Sequence, residues 1–374
     1  LADERDLEGA IQSYNKALAI NPNYTDAHFN KAMTLTDNSD FEGAMVCFQQ
    51  VIRNQPDRAD AHYNMGIILR EQGMQGDAIK AYKKALAIKP DYPEAFQNIA
   101  GVLKEQGDFE EAIRFYSKAN MKNSKASILE CLYFSKKYRE FNLHLDSISE
   151  EDPADIRVAS ISAFVADQLE QKDTYPFCRN PLQLVKISHV KDHISEPDIF
   201  INNILDEMNK EKAVWEPHSK TTKGGFHTGN RLFSNPSKNM KILEELIKEE
   251  LTLFKAKFEN SECVLFKQWP DQLKINAWYV RQLQSGYQES HIHPGGWVSG
   301  VFYLKTVEAP IKQEGAIEFG LHGYDYPMIK DDYPRRIHQP CNGEFVLFPS
   351  SLFHKTIPVI KDVERCVIAF DLVG

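Results

Sequence analysis

Three histidines and an arginine in the last quarter of the chain have side chains suited to a metal site. His291 and His293 are two residues apart, His354 follows, and Arg365 comes eleven positions after His354. On an extended strand, residues i and i+2 point to the same face, so His291 and His293 can point together into a barrel. Imidazole is a common ligand of transition metals. The spacing therefore predicts a paired metal-ligand motif with a third candidate ligand downstream.

The segments around these residues have the composition of β-strands. They are short runs rich in β-branched and aromatic residues, a composition that fits a pleated, half-buried surface. Three such runs are predicted strands, at residues 297–304, 344–349 and 365–370. In the last of them Arg365, Val367 and Ala369 fall on one face by the two-residue period. We therefore expect Arg365 to point into the same interior as the histidines.

An ordered set of motifs spans the second half of the chain. The motifs are Thr221–Thr228, His291–Pro294 leading into Ser299–Leu304, Gly343–Pro349 with His354, and the closing Arg365. In these motifs the segment from about 190 to 374 resembles the 2-oxoglutarate/iron(II)-dependent oxygenases. The resemblance implies a double-stranded β-helix, of the jelly-roll or cupin-like kind, that binds iron(II) and uses 2-oxoglutarate as co-substrate with dioxygen.

The chemistry of that family explains the residue types. Three protein groups hold iron on one face and leave the opposite positions open for co-substrate and dioxygen. A guanidinium suits the far carboxylate of 2-oxoglutarate, because its planar fork donates two parallel hydrogen bonds. The resemblance therefore gives Arg365 the role of anchoring the co-substrate.

Position 293 departs from the pattern of the family, whose iron ligands are His-x-Asp/Glu and a distal His. Three arrangements stay open. In the first, His291, His293 and His354 all bind iron, which leaves the site one unit more positive than the usual triad. In the second, His291 and His354 bind with water, and His293 supports them from outside. In the third, a carboxylate arrives from elsewhere, with Glu289 or Glu318 the nearest options.

Other polar residues are candidates for ligand contacts. By the resemblance, Tyr279 or Asn276, on the strand before the His-x-His turn, contacts 2-oxoglutarate, and Ser299 and Tyr303 are further candidates. His227 lies in a glycine-rich loop and is a candidate for the substrate mouth. The alternative is that these are ordinary interior or loop residues whose polar ends find local partners.

The amino-terminal half repeats every 34 residues, the period of the tetratricopeptide repeat. Prolines recur at Pro22, Pro56 and Pro90; in register with them are the alanines Ala10, Ala44, Ala78 and Ala112 and the aromatic residues Tyr14, Phe48, Tyr82 and Tyr116. Each repeat is a pair of helices, and stacked pairs form an α-solenoid. The sequence therefore predicts a helical repeat domain.

The repeat pattern also gives the predicted organisation. Complete repeats run at about 26–59, 60–93 and 94–127, residues 2–24 match the second helix of a truncated repeat, and helical spacing continues over 128–145 and 156–169. Because the chain begins inside a repeat, we expect further repeats upstream. The expected α + β architecture is a solenoid over residues 1–171, a linker over 172–184 and the oxygenase domain over 185–374. A helix over 239–258 is expected to pack against the barrel.

Asn30, Asn64 and Asn98 occupy one repeat position on the first helix, which lines the groove of such a solenoid. An amide side chain both donates and accepts hydrogen bonds, so a row of asparagines can bind the backbone of an extended peptide. These residues are therefore candidate substrate-binding residues. The alternative is that asparagine is merely common at this position and makes local hydrogen bonds.

The composition excludes some classes of function. The 374 residues are 42% hydrophobic, which is enough for two cores, and carry a formal net charge of −9. That charge argues against a nucleic-acid-binding surface, which needs a basic stripe. The sequence contains no apolar run long enough to predict a membrane-spanning helix. The six cysteines lack paired zinc spacing and are predicted to be reduced thiols of a cytoplasmic protein.

Three functions follow as hypotheses. The first is an iron(II)/2-oxoglutarate dioxygenase, a hydroxylase whose solenoid recruits a peptide or protein substrate. The second is a three-histidine, cupin-type iron dioxygenase that does not use 2-oxoglutarate and has no need of Arg365. The third is a non-catalytic scaffold with a degenerate oxygenase domain. Metal and co-substrate binding separate the three.

Overall fold

The computed structural model describes residues 6–217, 220–308 and 312–374. The chain forms two compact units, Leu1–Tyr138 and Arg139–Gly374. The expected end of the solenoid at residue 171 and the expected end of the linker at residue 184 stay predictions.

The first unit consists of helices that pair in sequence order. Its helices are α1 Leu7–Ile20, α2 Thr25–Asp37, α3 Phe41–Asn54, α4 Ala59–Glu71, α5 Gln75–Ile88, α6 Pro93–Glu105, α7 Phe109–Ala119 and α8 Lys122–Phe134. Each predicted complete repeat thus contains two helices, and the predicted truncated repeat contains α1; its residues 2–5 lie outside the described residues. The predicted tetratricopeptide α-solenoid is confirmed.

The turn between paired helices has the same backbone conformation in successive repeats. Ser39, Gly73 and Gly107 lie 34 residues apart and have φ values of 60°, 75° and 80°. A left-handed residue here ends a helix by turning its N–H groups back onto the last carbonyls. Lys136 adopts the same conformation, with φ 59°. The helical spacing predicted over 128–145 is therefore wrong as one segment, because α8 ends before Lys136 and the next helix begins after it.

Small residues let neighbouring helices approach closely. Ala32 and Ala100 are fully buried, and Gly66 is buried at the same repeat position. A Cβ atom on Gly66 would lie 2.5 Å from a ring carbon of Tyr82, far inside van der Waals contact. At Gly101, on the corresponding helix of the next repeat, the nearest atoms to such a Cβ are the guanidinium nitrogens of Arg70 at 3.8 Å, an ordinary van der Waals distance. Close helix packing therefore requires glycine at position 66 but not at position 101.

The second unit combines helices with two antiparallel sheets. The helices are α9 Tyr138–Glu151, α10 Ile156–Gln168, α11 Pro197–Met208, α12 Lys238–Lys257 and α13 Val264–Lys267, with short 3₁₀ helices at Pro181–Leu184 and Val190–Asp192. The strands are β1 Lys186–His189, β2 Val214–Trp215, β3 Thr222–His227, β4 Lys274–Gln288, β5 Val298–Lys305, β6 Ile317–Gly320, β7 Arg335–His338, β8 Glu344–Pro349, β9 Phe353–Thr356 and β10 Arg365–Val373. The predicted helix over 239–258 is confirmed as α12.

The two sheets enclose the core that carries the site. The larger sheet has the strand order β1-β8-β5-β10-β4-β3-β2, and the smaller has the order β7-β6-β9. Ile317 and Phe319 of β6 belong to the same buried cluster as Trp278 of β4, Val301 of β5 and Val367 of β10. The inner faces of the sheets therefore pack against each other, as in a jelly roll. The predicted double-stranded β-helix is confirmed.

Helix α10 holds the segment between β6 and β7. The side-chain oxygen of Gln168 accepts hydrogen bonds from the backbone N–H groups of Ile329, at 2.8 Å, and Lys330, at 3.0 Å. The ring of Phe164 lies 5.4 Å from the ring of His322, centroid to centroid. By these contacts α10 is an integral part of the second unit.

Two further findings concern the whole chain. Among the described residues, no helix has the length and apolarity needed to cross a membrane. All six cysteines lie in the described part of the chain and are free thiols, of which five are buried and Cys341 is exposed. The cytoplasmic location inferred from cysteine usage stays a prediction.

Candidate metal centre

Backbone hydrogen bonds place the three histidines next to one another. His291 follows β4 and forms an isolated antiparallel bridge with His354 of β9, with N–H to carbonyl distances of 3.1 and 3.0 Å. In such a pair the two side chains lie side by side on one face. The N–H of His293 donates to the carbonyl of Ser350 at 3.0 Å. The turn carrying His-x-His is thus fixed to the strand carrying the distal histidine.

The imidazole rings converge on one point. Ring centroids lie 4.3 Å apart for His291 and His354, 4.9 Å for His293 and His354, and 5.1 Å for His291 and His293. One nitrogen from each ring falls within 4.8 Å of the other two, and this is the candidate metal cluster found among the described residues. Glu289 and Glu318 do not join it: Glu318 pairs with a lysine at 3.2 Å on the far face of β6. The arrangement with a carboxylate ligand from elsewhere is therefore not observed.

The hydrogen bonds of the rings leave the same nitrogen free on each. His291 Nδ1 lies 2.6 Å from the carbonyl oxygen of Glu289, and His354 Nδ1 lies 3.1 Å from that of Leu352. A carbonyl oxygen only accepts, so each Nδ1 carries the proton and Nε2 keeps its lone pair. His293 Nδ1 lies 2.5 Å from an acceptor as well, a carboxylate oxygen. Three Nε2 atoms are therefore available as ligands.

Burial keeps the rings of His291 and His354 in the neutral form that binds metals. Desolvation, with a smaller contribution from the neighbouring His293, lowers the pKa of His291 to about 3. Desolvation also holds the pKa of His354 well below its usual range, with help from the other two histidines. Because a metal ligand must be deprotonated, these two rings need lose no proton before binding at neutral pH.

Arg365 lies at the other end of the same interior. Its side chain is only 2% exposed; Nε donates to the carbonyl of Gly315 at 3.0 Å and Nη1 donates to Oε1 of Gln282 at 2.7 Å. Within the described ranges Arg365 has no carboxylate at ion-pair distance. A buried cation without a counter-ion is costly, so this position favours an anionic ligand.

Unsatisfied polar groups surround this guanidinium. Among the residues that the structure describes, neither the Nε2 of Gln282 nor the hydroxyl of Tyr303 has a hydrogen-bond partner, and both are buried. The ring centroid of Tyr303 lies 5.1 Å from the guanidinium carbon of Arg365. Orphaned buried polar groups are rare in folded proteins. The donors at this end fit a carboxylate, and the imidazoles at the other end fit a transition metal.

A narrow cavity joins the two ends. Besides the three histidines and Arg365, it is lined by Trp278, Gln288, Val301, Ile317, Thr356, Val367 and Ala369. Its free volume is about 20 Å³, which is room for about one water molecule. A five-carbon diacid is larger than this. Its binding therefore requires lining side chains to move apart.

The other predicted co-substrate residues lie in different places. Tyr303 is beside Arg365, and the hydroxyl of Ser299 lies 3.1 Å from Nδ1 of His293, on the side away from the cluster. Asn276 is opposite Asp371 in the strand register and does not line the cavity. Tyr279 points to the face of β4 opposite Trp278 and contacts Cys366. Its predicted contact with co-substrate is therefore not supported, since alternate residues of a strand face opposite ways.

His227 is separated from the three-histidine cluster by the ring of Trp278. It is buried at the end of β3 and stacks on Trp278 with centroids 6.0 Å apart, and Trp278 lies 5.5 Å from His293. Desolvation lowers the pKa of His227 to about 4, so its ring is neutral at pH 7. The predicted contact of His227 with substrate stays a prediction.

The asparagines of the repeats differ in their surroundings. Asn30 is exposed. The Nδ2 of Asn64 donates to the carbonyl of Asp60 in its own helix at 2.8 Å, and that of Asn98 donates to the hydroxyl of Tyr63 at 3.1 Å. The predicted peptide contacts stay predictions, and two of the three amides have local partners.

Sequence reasoning missed two residues of the site. Asp371 provides the carboxylate that accepts from His293, and Gln282 orients Arg365. The two-residue period that puts Arg365, Val367 and Ala369 on one face extends to Asp371, so the sequence pattern could have predicted that Asp371 points to the same interior. No sequence pattern predicts the role of Gln282, because that role depends on the register between β4 and β10.

Comparison with known families agrees with both units. The family described as "Putative 2OG-Fe(II) oxygenase" matches residues 276–371. Two repeat families match the amino-terminal part, "Tetratricopeptide repeat" at residues 1–66 and "TPR repeat" at residues 66–107. No curated protein matches the sequence.

Several solved structures are similar to part of the chain. The crystal structure of MamA is 22% identical, with a TM-score of 0.36 over 37% of this chain and 84% of that one. YrrB, a TPR protein with an unusual peptide-binding site, is 18% identical, with a TM-score of 0.37 over 43% and 85%. PilF of Pseudomonas aeruginosa is 21% identical, with a TM-score of 0.38 over 44% and 77%. At these values the likeness adds nothing to the fold described above. On the family matches and its own architecture, the chain carries tetratricopeptide repeats at its amino-terminal end and, over residues 276–371, a segment that matches the family described as putative 2OG-Fe(II) oxygenase.

Proposed function

We propose that the chain is an iron(II)- and 2-oxoglutarate-dependent dioxygenase that hydroxylates a peptide or protein substrate. The observation that carries the proposal is the pairing of two features in one interior. Three imidazoles converge with their Nε2 atoms free, and a buried guanidinium that has no counter-ion among the described residues faces the same cavity. A structural role for these residues would not require both features together.

Each end of the cavity has a distinct task in this proposal. His291, His293 and His354 hold iron(II), and Arg365 binds the distal carboxylate of 2-oxoglutarate. Gln282 fixes the orientation of the guanidinium through the 2.7 Å hydrogen bond. When bound, iron and 2-oxoglutarate supply the activation of dioxygen that oxidises an unactivated C–H bond. The apolar lining of the cavity excludes water from that chemistry.

Arg365, which has no ion-pair partner within the described ranges, also separates this proposal from its alternatives. A three-histidine iron dioxygenase that does not use 2-oxoglutarate has no need of a buried cation beside its metal. A scaffold that has lost catalysis has no need of one either, and it would gain from replacing the cation by an apolar residue, because an uncompensated buried charge is destabilising. Arg365 therefore favours an acidic co-substrate.

The repeats supply the proposed substrate recruitment. A solenoid tethered to an enzyme raises the local concentration of a bound peptide without new contacts at the metal. Asn30, Asn64 and Asn98 are the proposed peptide contacts, because their amides recur at one repeat position.

Anaerobic titration with iron(II) and then 2-oxoglutarate tests the proposal. We expect the weak visible charge-transfer band of the bidentate co-substrate complex in the wild type. The band should be lost in His354→Ala, and in Arg365→Ala it should require a much higher concentration of 2-oxoglutarate. Iron that binds without the band would leave a metal site that does not use 2-oxoglutarate. Absence of iron binding in the wild type would overturn the proposal.

A second measurement tests the recruitment. Formation of succinate and gain of one oxygen atom by peptides are followed over a random-sequence peptide library, in the wild type and in the triple variant Asn30→Ala, Asn64→Ala, Asn98→Ala. The triple variant should keep peptide-independent succinate formation and lose the stimulation by peptides. Equal stimulation in both proteins would rule out the asparagine row as the peptide site.

A further inference from the structure

We propose that Asp371 is the positioning residue of the iron site and that it acts through His293. In this view the carboxylate missing from position 293 has moved outward by one imidazole ring, so that the site keeps its negative charge with a histidine as ligand. The inference rests on the proposed function, since it concerns how that site holds its metal.

The geometry of Asp371 places it directly behind His293. Its Oδ1 lies 2.5 Å from Nδ1 of His293 and accepts from the hydroxyl of Ser299 at 2.7 Å. The Ser299 hydroxyl is 2.8 Å from that of Ser350, whose carbonyl accepts from the N–H of His293. Asp371, Ser299 and Ser350 therefore fix both the ring and the backbone of one histidine.

Close packing leaves little freedom in this group. A Cβ atom on Gly296 would lie 2.7 Å from the hydroxyl oxygen of Ser350 and 3.0 Å from the carboxyl carbon of Asp371. A side chain at position 296 would thus displace the carboxylate from the ring. Gly296, which follows the His-x-His-Pro-Gly motif, must therefore be glycine, because the backbone at this position closely approaches the Asp371 carboxylate.

The partner of His293 differs in kind from those of the other two ligands. His291 and His354 donate to backbone carbonyls, which are neutral, whereas His293 donates to a carboxylate. Within the residues that the structure describes, His293 is the ion-pair partner recorded for Asp371, so no lysine or arginine cancels its charge. A carboxylate behind a ligating histidine raises the basicity of the ring and fixes its tautomer. His293 should therefore be the strongest donor of the three.

A purely structural role for Asp371 makes a different prediction. If the carboxylate only ties β10 to the turn at residues 293–297, Asp371→Asn should bind metal normally, because the amide oxygen accepts the same hydrogen bonds. If its charge acts on the metal through His293, the same variant should fold normally and bind metal less well. Asp371→Glu, which restores the charge, should recover most of the affinity.

Anaerobic titration of the full chain with Co(II), followed by visible absorption, distinguishes the two. We expect Asp371→Asn to weaken Co(II) binding by about 10- to 100-fold and to shift the d–d bands, with the thermal unfolding of the metal-free protein unchanged. Asp331→Asn, an exposed aspartate of the same unit, is the matched control and should behave as wild type. Asp371→Glu should bind with a smaller loss than Asp371→Asn.

The outcomes separate this inference from the proposed function. Wild-type affinity and spectrum in Asp371→Asn would overturn the inference and leave the proposed function intact. If Asp371→Asn does not fold, Asp371→Glu decides: near-normal binding supports the inference, and binding lost in a folded Asp371→Glu overturns it. A wild-type protein that binds no metal would overturn both.

Discussion

The two units bring their key residues together over very different distances in sequence. In the repeats, a close contact such as that of Gly66 with Tyr82 joins neighbouring helices. In the barrel, His293 meets Asp371 across 78 residues and Arg365 meets Gln282 across 83. Stability in a stacked repeat is approximately a sum of local terms. A site assembled from distant strands exists only when those strands are all in place. Substitution of an equally buried residue should therefore impair metal binding when it lies in the barrel and leave metal binding unchanged when it lies in the repeats.

The largest expected effect is that of Phe302→Ala. Phe302 is fully buried in β5 and stacks on Phe345 with centroids 4.4 Å apart. Its truncation should lower the free energy of unfolding by about 3–5 kcal/mol, measured by chemical denaturation, and weaken Co(II) binding with it. Tyr82→Ala removes an equally buried ring from the repeats and should leave Co(II) binding unchanged. Loss of metal binding in Tyr82→Ala would contradict the contrast drawn between the units.

A smaller and more selective effect is expected from Gln282→Glu. The new carboxylate would pair with Arg365 and neutralise the cation that the co-substrate needs. Because a hydrogen bond to a charged group contributes about 1.5–3 kcal/mol, the affinity for 2-oxoglutarate should fall by about 10- to 100-fold while iron binding stays normal. The control is Gln284→Glu, at an exposed position of the same strand. Normal 2-oxoglutarate affinity in Gln282→Glu would show that Arg365 is not the anchor.

Within the repeats, two glycines on equivalent helices should respond to substitution in opposite ways. Gly66→Ala should lower the free energy of unfolding by about 1–3 kcal/mol, because the new methyl group overlaps the ring of Tyr82. Gly101→Ala meets no such atom and should raise it by up to about 1 kcal/mol through helix propensity. Thermal unfolding followed by circular dichroism measures both. Opposite signs are expected, and the same sign in both variants would show that local packing does not decide stability here.

Periodic features were the most predictable part of the molecule. The 34-residue spacing of Pro22, Pro56 and Pro90 was enough to predict the helix pairs, because each repeat contacts mainly its neighbours. The strand predicted over 344–349 coincides with β8, and the one over 365–370 lies within β10. The two-residue period then predicted which face of β10 carries Arg365.

Features that depend on register were not predictable. Gln282 lies beside Arg365 because β4 pairs with β10 at that position, and one sequence does not reveal strand pairing. The resemblance implies a co-substrate contact for Tyr279, whereas its position next to Trp278 puts it on the opposite face of β4. The left-handed turn at Lys136 is not predictable from the sequence either, because lysine, unlike glycine, rarely adopts positive φ.

The contacts of α10 matter for anyone wishing to produce the catalytic part by itself. A fragment beginning at residue 185 would lack Gln168 and leave two backbone N–H groups of the β6–β7 segment without their acceptor. That segment also carries the carbonyl of His322, to which the hydroxyl of Ser290, beside the first candidate ligand, donates at 3.0 Å. Cloning boundaries placed at or before residue 139 keep this support for the ligand turn.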